Sequence, residues 1–191
     1  MLKALLLITF FVGGPSPSTI IAEGYSDGKP YTFIAKKLPI ISPLTKKRVI
    51  LQADAADSFV NLISNANRDG IFIQVNYGYR THREQAIVKR RMLAKGKGNL
   101  AAKPGTSDHE KGLALDIKGC IVFVSDKKLN SKPKLKKDVV RWHKMGACSR
   151  QNKGFICKTA LYWWLRKNAG RYGFYNDVPG EPWHWSYRTI K

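Results

Sequence analysis

The residues able to do chemistry gather in two short segments far apart in the chain. One runs Ser107-Asp108-His109-Glu110-Lys111-Gly112-Leu113-Ala114-Leu115-Asp116, the other Glu181-Pro182-Trp183-His184-Trp185. Together they offer two imidazoles, a carboxylate a few residues after the first and another just before the second. A catalytic zinc takes three nitrogen or oxygen ligands from the protein and keeps its fourth position for water. His109, Asp116 and His184 are the candidate ligands of a Zn2+ ion, and Glu181 is left over beside them.

Those side chains need elements to bring them together. Leu113 to Ile117 alternates large apolar residues with small or acidic ones, the pattern of a strand with Ala114 and Asp116 on one face and Leu113, Leu115 and Ile117 on the other. Gly112 lets the backbone turn before that strand and carries His109 on its loop toward the Asp116 side. Glu181 and His184 lie three apart, and Pro182 disfavours a regular strand between them. Glu181 is therefore expected on an entering loop and His184 on the strand that follows.

Upstream, Ala56, Phe59, Val60 and Ile63 recur at helical spacing within 53–68, and Gly70 supplies a stop. Ile71 to Asn76 reads as a strand rich in β-branched residues, delivering Tyr77-Gly78-Tyr79-Arg80 at its end. Thr81 followed by Glu84 is a capping-box spacing, which starts a helix through Gln85, Ile87, Val88 and Met92. Arg80 thus stands at a strand-to-helix junction, where its side chain can be aimed into a cleft. Lys95 to Gly105 is a basic, Gly-containing loop that leads into the first motif and suggests a cleft edge. Leu161, Trp164, Leu165 and Ala169 mark a core helix closed by Gly173.

Ser-x-His-x-x-Gly-x-Ala-x-Asp followed by Glu-Pro-Trp-His-Trp resembles the VanY-like zinc D-alanyl-D-alanine carboxypeptidases and their endopeptidase relatives, which cut peptidoglycan stem peptides. The resemblance runs from about Leu51 to Tyr187. It implies that His109, Asp116 and His184 bind zinc and that Glu181 is the general base. Tyr-Gly-Tyr-Arg-x-x-x-x-Gln resembles the family's Ser-Gly-Tyr-Arg segment, with Tyr77 in place of the usual small residue. That match implies a substrate contact for Arg80, and Gln85 joins it as a candidate. Ser107, two residues before a ligand, matches a family serine that bonds a substrate carboxylate; a plain turn-capping serine is the competing view. His82 and His143 are expected to take no catalytic part.

Composition sets the setting. The chain has 191 residues, 43% hydrophobic and 25% charged, enough for one compact domain. Met1-Leu2-Lys3 and the apolar run Ala4 to Val12, broken by Gly13-Gly14-Pro15, read as a secretory signal over about 1–22, too short to span a bilayer. Residues 23–50 are expected as an N-terminal arm, with a short strand at Tyr31 to Ala35, before a peptidase domain over 51–191. Export to the periplasm or cell envelope follows. The net charge of +21 suits anionic envelope polymers as partners, and no nucleic-acid recognition motif is present. Asp126 to Lys158, crowded with Lys and Arg, reads as a basic insertion, partly helical near Val139 to Trp142. Within it Cys148 and Cys157 bracket a loop that a disulfide could close in an oxidising compartment, whereas Cys120 reads as a buried thiol.

The expected fold is α+β: a small antiparallel sheet with helices packed on one side and the zinc cleft on the other. The expected function is a monomeric zinc D-alanyl-D-alanine carboxypeptidase acting on peptidoglycan stem peptides. An L-alanyl-D-glutamate-type endopeptidase on the same fold, or a non-catalytic cell-wall-binding module, are the alternatives. Glu181 speaks against the binding module, which needs no base.

Overall fold

The computed structural model describes residues 17–124, 148–151 and 154–189. In chain order these form β1 (Ser18–Ser26), β2 (Lys29–Ile41), β3 (Arg48–Gln52), α1 (Ala53–Arg68), β4 (Gln74–Tyr77), α2 (His82–Ala94), β5 (Ala114–Lys118), β6 (Ile121–Val124), β7 (Cys148–Gln151), β8 (Gly154–Lys158), α3 (Ala160–Asn168), β9 (Phe174–Tyr175) and β10 (His184–Tyr187). The strands make three antiparallel sheets, ordered β1-β2-β3, β4-β5-β10-β9 and β6-β8-β7. The expected α+β class holds.

The middle sheet separates core from site. Across β5 and β10, Leu115 pairs with Trp185 and Asp116 with His184. Successive side chains on a strand point to opposite faces, so these two pairs face opposite ways. Leu115 and Trp185 are fully buried against Phe59 and Leu62 of α1 and Leu165 of α3. Phe59 meets Phe174 edge to face, with ring centroids 5.6 Å apart. Burying each such side chain contributes roughly 1.5–3 kcal/mol, and that gain presses the helices onto one side of the sheet. Asp116 and His184 are left on the other.

The local signals explain the ends of the elements. The side chain of Thr81 accepts from the amide of Glu84 while Glu84 bonds back to the Thr81 amide, a complete capping box opening α2. Gly112 has φ +69°, and a Cβ there would stand 2.8 Å from the Gln52 nitrogen and from Phe33. No other residue fits that turn without displacing its neighbours.

Four expectations shift. Pairing in β4 begins at Gln74, opposite Lys118 at the end of β5; among the described residues, 71–73 have no strand to pair with, and Phe72 is 72% exposed. On α1 the buried stripe runs through Ala55, Ala56, Phe59, Leu62 and Ala66, leaving Val60 outside. The expected arm is a long hairpin, β1–β2, joined through β2 to β3; a boundary at residue 22 falls inside β1, where Ala22 is buried. The end of the expected insertion is a hairpin as well, β7–β8, whose inner strand pairs with β6. His143, the helical piece at Val139 to Trp142 and the apolar run at residues 4–12 lie outside the described residues.

Candidate metal centre

One donor atom from each of His109, Asp116 and His184 lies within 4.8 Å of the others. Nε2 of His109 is 3.5 Å from Asp116 Oδ1, and Nδ1 of His184 is 3.3 Å from the same oxygen. Two come from neighbouring strands in register, and the third from the turn before β5. His109 and His184 are 3% and 8% exposed, so neither imidazole is a surface group.

The second nitrogen of each ring is already held. Nδ1 of His109 lies 2.7 Å from the carbonyl oxygen of Gly78, which only accepts, so Nδ1 carries the proton and Nε2 presents a lone pair. Nε2 of His184 lies 3.2 Å from Ser186 Oγ, leaving Nδ1 toward Asp116. Outer partners of this kind orient metal-ligating histidines and set their tautomer. Two imidazole nitrogens and a carboxylate oxygen, so oriented, fit the donor set of a three-ligand catalytic zinc.

Burial alone would raise the Asp116 carboxyl, but positive charge beside it, carried by the His109 and His184 rings when they are protonated, outweighs burial and holds the group well below the usual carboxylate range. Asp116 is an anion here. Glu181 lies at the edge, its carboxylate 4.0 Å from His184 Nδ1. Burial holds its carboxyl above the usual range despite the pull of His184. It sits on the loop before β10, as the Pro182 argument expects.

Arg80 comes from the junction between β4 and α2. Its guanidinium is 3.6 Å from Asp116 Oδ2, and its carbon stands 5.2 Å above the centre of the Tyr77 ring. Gln85 is fully buried behind it. The Gln85 carbonyl accepts from Arg80 at 2.6 Å and its amide donates to the Ala102 carbonyl at 2.9 Å. That geometry makes Gln85 a holder of Arg80. Ser107, 6% exposed, accepts the His109 amide on its hydroxyl at 3.3 Å. It caps the ligand turn, and its hydroxyl proton is not used in that bond.

Three supporting groups escaped the sequence reading. Glu110 is fully buried; its carboxylate accepts the amides of Gly105 and Ser107 and lies 2.8 Å from His82 Nδ1, whose ring stacks on Tyr25 at 4.1 Å. The available signal was the Ser107-x-x-Glu110 spacing, a turn-capping pattern inside the first motif. His82 thus has a structural partner, though the centre itself does not include it. Asn176 donates to the carbonyls of both Glu181 and His184, at 2.8 and 2.7 Å, and so closes the loop between base and ligand. Arg188 bonds Asp108 and Asp177, at 2.9 and 2.7 Å, tying the first motif's loop to the second's. No local spacing marks either.

The VanY family, described as D-alanyl-D-alanine carboxypeptidase, matches residues 48–190. A D-alanyl-D-alanine carboxypeptidase of Enterococcus faecalis is 27% identical over 154 residues, covering 69% of this chain and 46% of that protein. The chain spans about half the length of this curated relative. Among solved structures, VanYB in complex with D-alanine-D-alanine superposes with a TM-score of 0.55 at 21% identity, covering 87% of this chain and 85% of the other. A variant of the vancomycin-resistance D,D-pentapeptidase VanY with Zn(II) gives 0.50 at 22% identity, covering 79% and 80%. These likenesses agree in fold with the arrangement of sheet, helices and cluster described above. Because the match takes in both motif segments and all the strands that carry them, this chain belongs to the VanY-like D-alanyl-D-alanine carboxypeptidase family, with its LAS-type metallopeptidase fold.

Proposed function

We propose that this protein is a zinc-dependent peptidoglycan peptidase, and specifically a D-alanyl-D-alanine carboxypeptidase that removes the terminal D-alanine of stem peptides. The observation that carries the reading is the placing of Glu181 and Arg80 beside the His109–Asp116–His184 cluster, Glu181 at 4.0 Å from His184 Nδ1 and Arg80 at 3.6 Å from Asp116 Oδ2. A base and a fixed cation beside one metal site are what hydrolysis of a peptide with a terminal carboxylate needs.

Zn2+ held by His109, Asp116 and His184 would polarise the scissile carbonyl and lower the pKa of water. Glu181 accepts the proton of the attacking water and returns it to the departing amine. Its half-buried setting, which raises its proton affinity, suits both halves of that transfer. Arg80, held in place by Gln85, grips the terminal carboxylate through charge-assisted hydrogen bonds. Ser107, whose hydroxyl accepts the His109 amide, still has its own hydroxyl proton to donate. The apolar run at residues 4–12 and the net charge of +21 support an exported, monomeric protein working near anionic envelope polymers.

Mass spectrometry of defined muropeptides after incubation with the zinc-loaded protein tests the reading. Loss of one alanine mass is the expected result. Release of a larger peptide makes the protein an endopeptidase instead, and intact muropeptides overturn the catalytic reading.

A further inference from the structure

The strand that leads to Arg80 carries an irregularity. In β4, Gln74 pairs with Lys118 and Val75 with Ile117, and an unbroken antiparallel ladder would then set Asn76 against Asp116 and Tyr77 against Leu115. The register shifts instead, and Tyr77 stands opposite Asp116. Asn76 is the extra residue of this bulge, and its carbonyl accepts a hydrogen bond from the hydroxyl of buried Ser42 at 2.7 Å. Cross-strand partners share a face of the sheet, and Leu115 and Asp116 face opposite ways. Without the bulge Tyr77 would turn toward the core beside Leu115; with it, the ring stands on the face that carries the ligands.

What the ring meets there is Arg80. The guanidinium carbon lies over the Tyr77 ring, 5.2 Å from its centre, inside the range of a cation–π contact. The Arg80 side chain is 11% exposed, so water screens that attraction little. Among the described residues its guanidinium makes one hydrogen bond, to Gln85 Oε1 at 2.6 Å, and stands 3.6 Å from Asp116 Oδ2. One hydrogen bond fixes a point of a planar group and leaves the plane free to turn about it. Gripping a carboxylate by two parallel N–H bonds needs that plane fixed. A ring face beneath the fork limits the turning.

We infer that Tyr77 is a positioning residue of the substrate site: its ring holds the Arg80 guanidinium in the orientation that receives the substrate's terminal carboxylate. The inference rests on the carboxypeptidase reading above, in which Arg80 grips that carboxylate. Tyr77 is 36% exposed and lies outside the buried core cluster, so core packing does not account for its place. The family's related segment carries a serine there, with no ring face to offer, so this support belongs to the present chain's own sequence.

The test uses two synthetic pentapeptides ending in D-Ala-D-Ala, one with its terminal carboxylate free and one with it amidated. Their binding to zinc-loaded Glu181→Gln protein is measured by calorimetry, alone and with Tyr77→Phe, Tyr77→Leu or Arg80→Ala added, and with the last two together. Cleavage of the acid peptide by the wild-type protein is followed in parallel. The expected result is a preference for the acid peptide that Tyr77→Phe, which keeps the ring, retains. Tyr77→Leu lowers that preference roughly two- to fivefold, the scale of one cation–π contact. Once Arg80 is alanine, Tyr77→Leu costs nothing further, because the two residues act through one contact; a ring that only supported the fold would cost the same in both backgrounds. Zinc affinity, measured by competition with a chelator, stays at the wild-type level. An unchanged preference in Tyr77→Leu, an equal loss in Tyr77→Phe, or a loss of zinc affinity in Tyr77→Leu overturns the positioning role, while cleavage leaves the carboxypeptidase reading standing. Equal binding of the two peptides before Tyr77 is changed removes the grip of Arg80 and overturns the inference too. If the wild-type protein leaves the acid peptide intact, the carboxypeptidase reading falls, and this inference with it.

Discussion

The imidazole of His109 donates through Nδ1 to the carbonyl oxygen of Gly78 at 2.7 Å. The carbonyl sits at the end of β4, so the strand that delivers Arg80 also sets which nitrogen of His109 faces the cluster. Gly78 has no room for a side chain: a Cβ would stand 2.6 Å from the Ile50 carbonyl oxygen and 2.9 Å from Val49. Gly78→Ala should push this strand end away from β3. The expected result is a loss of about 1–3 kcal/mol in stability, the range for overpacking, together with metal affinity weakened roughly 10–100-fold, the range for disturbed outer-shell partners. Denaturant unfolding and competition with a chelator measure the two. Unchanged metal affinity would show that the carbonyl does not orient His109.

One zinc per chain is expected, and His109→Ala, Asp116→Ala and His184→Ala should each lower its affinity by more than about 100-fold, beyond the cost of an outer-shell change. Elemental analysis of purified variants checks this. Full occupancy in all three would remove the site as drawn.

Glu181→Gln should retain zinc and substrate binding while losing about 10²–10⁴ in turnover, because an amide keeps the shape but cannot accept the water proton. Arg80→Ala should lose turnover and substrate affinity together. Zinc content, binding and rate measured on both variants separate the roles. An active, zinc-loaded Glu181→Gln protein would assign the base to another residue.

Glu110 is fully buried and holds the amides of Gly105 and Ser107 as well as His82. Glu110→Ala leaves these donors without a partner, and a loss of about 1–3 kcal/mol for a buried donor left unsatisfied is expected. Glu110→Gln should cost less, since its amide oxygen still accepts. Thermal or urea unfolding of both variants gives the comparison, and equal losses would mean that packing outweighs the hydrogen bonds.

Cys120 is buried beside Trp185, and burial pushes its thiol up to about 12, with the indole contact pulling only weakly the other way. It should resist alkylation at pH 8 in the folded protein and react on unfolding. Cys148 and Cys157 are register partners across β7 and β8, and the export proposed above implies that they are joined, worth roughly 3 kcal/mol in loop entropy. Non-reducing peptide mapping distinguishes this pairing from one involving Cys120 or from three free thiols.

The spacing of the motifs, by itself, picked out the three residues that the fold gathers into a cluster able to hold a metal ion. His109 and Asp116 are joined by a turn that Gly112 permits and a strand whose alternation puts Asp116 on the open face, while Pro182 places Glu181 before the strand of His184. Those are short-range rules, and they worked because each concerns a few consecutive residues. The helix at 53–68 and the capping box at Thr81 were legible for the same reason. What only the tertiary structure decided depends on partners distant in the chain. Residues 71–73 have strand propensity but, among the described residues, no strand opposite them, because β5 ends at Lys118. Gln85 looks like helix surface until Ala102 and Arg80 are found at either end of its amide. Asn176 and Arg188 tie the two motif loops through contacts that no spacing encodes. Propensity and periodicity act along the chain, whereas hydrogen-bond partners and burial are set by which segments fold against each other, and that is settled only when the core closes.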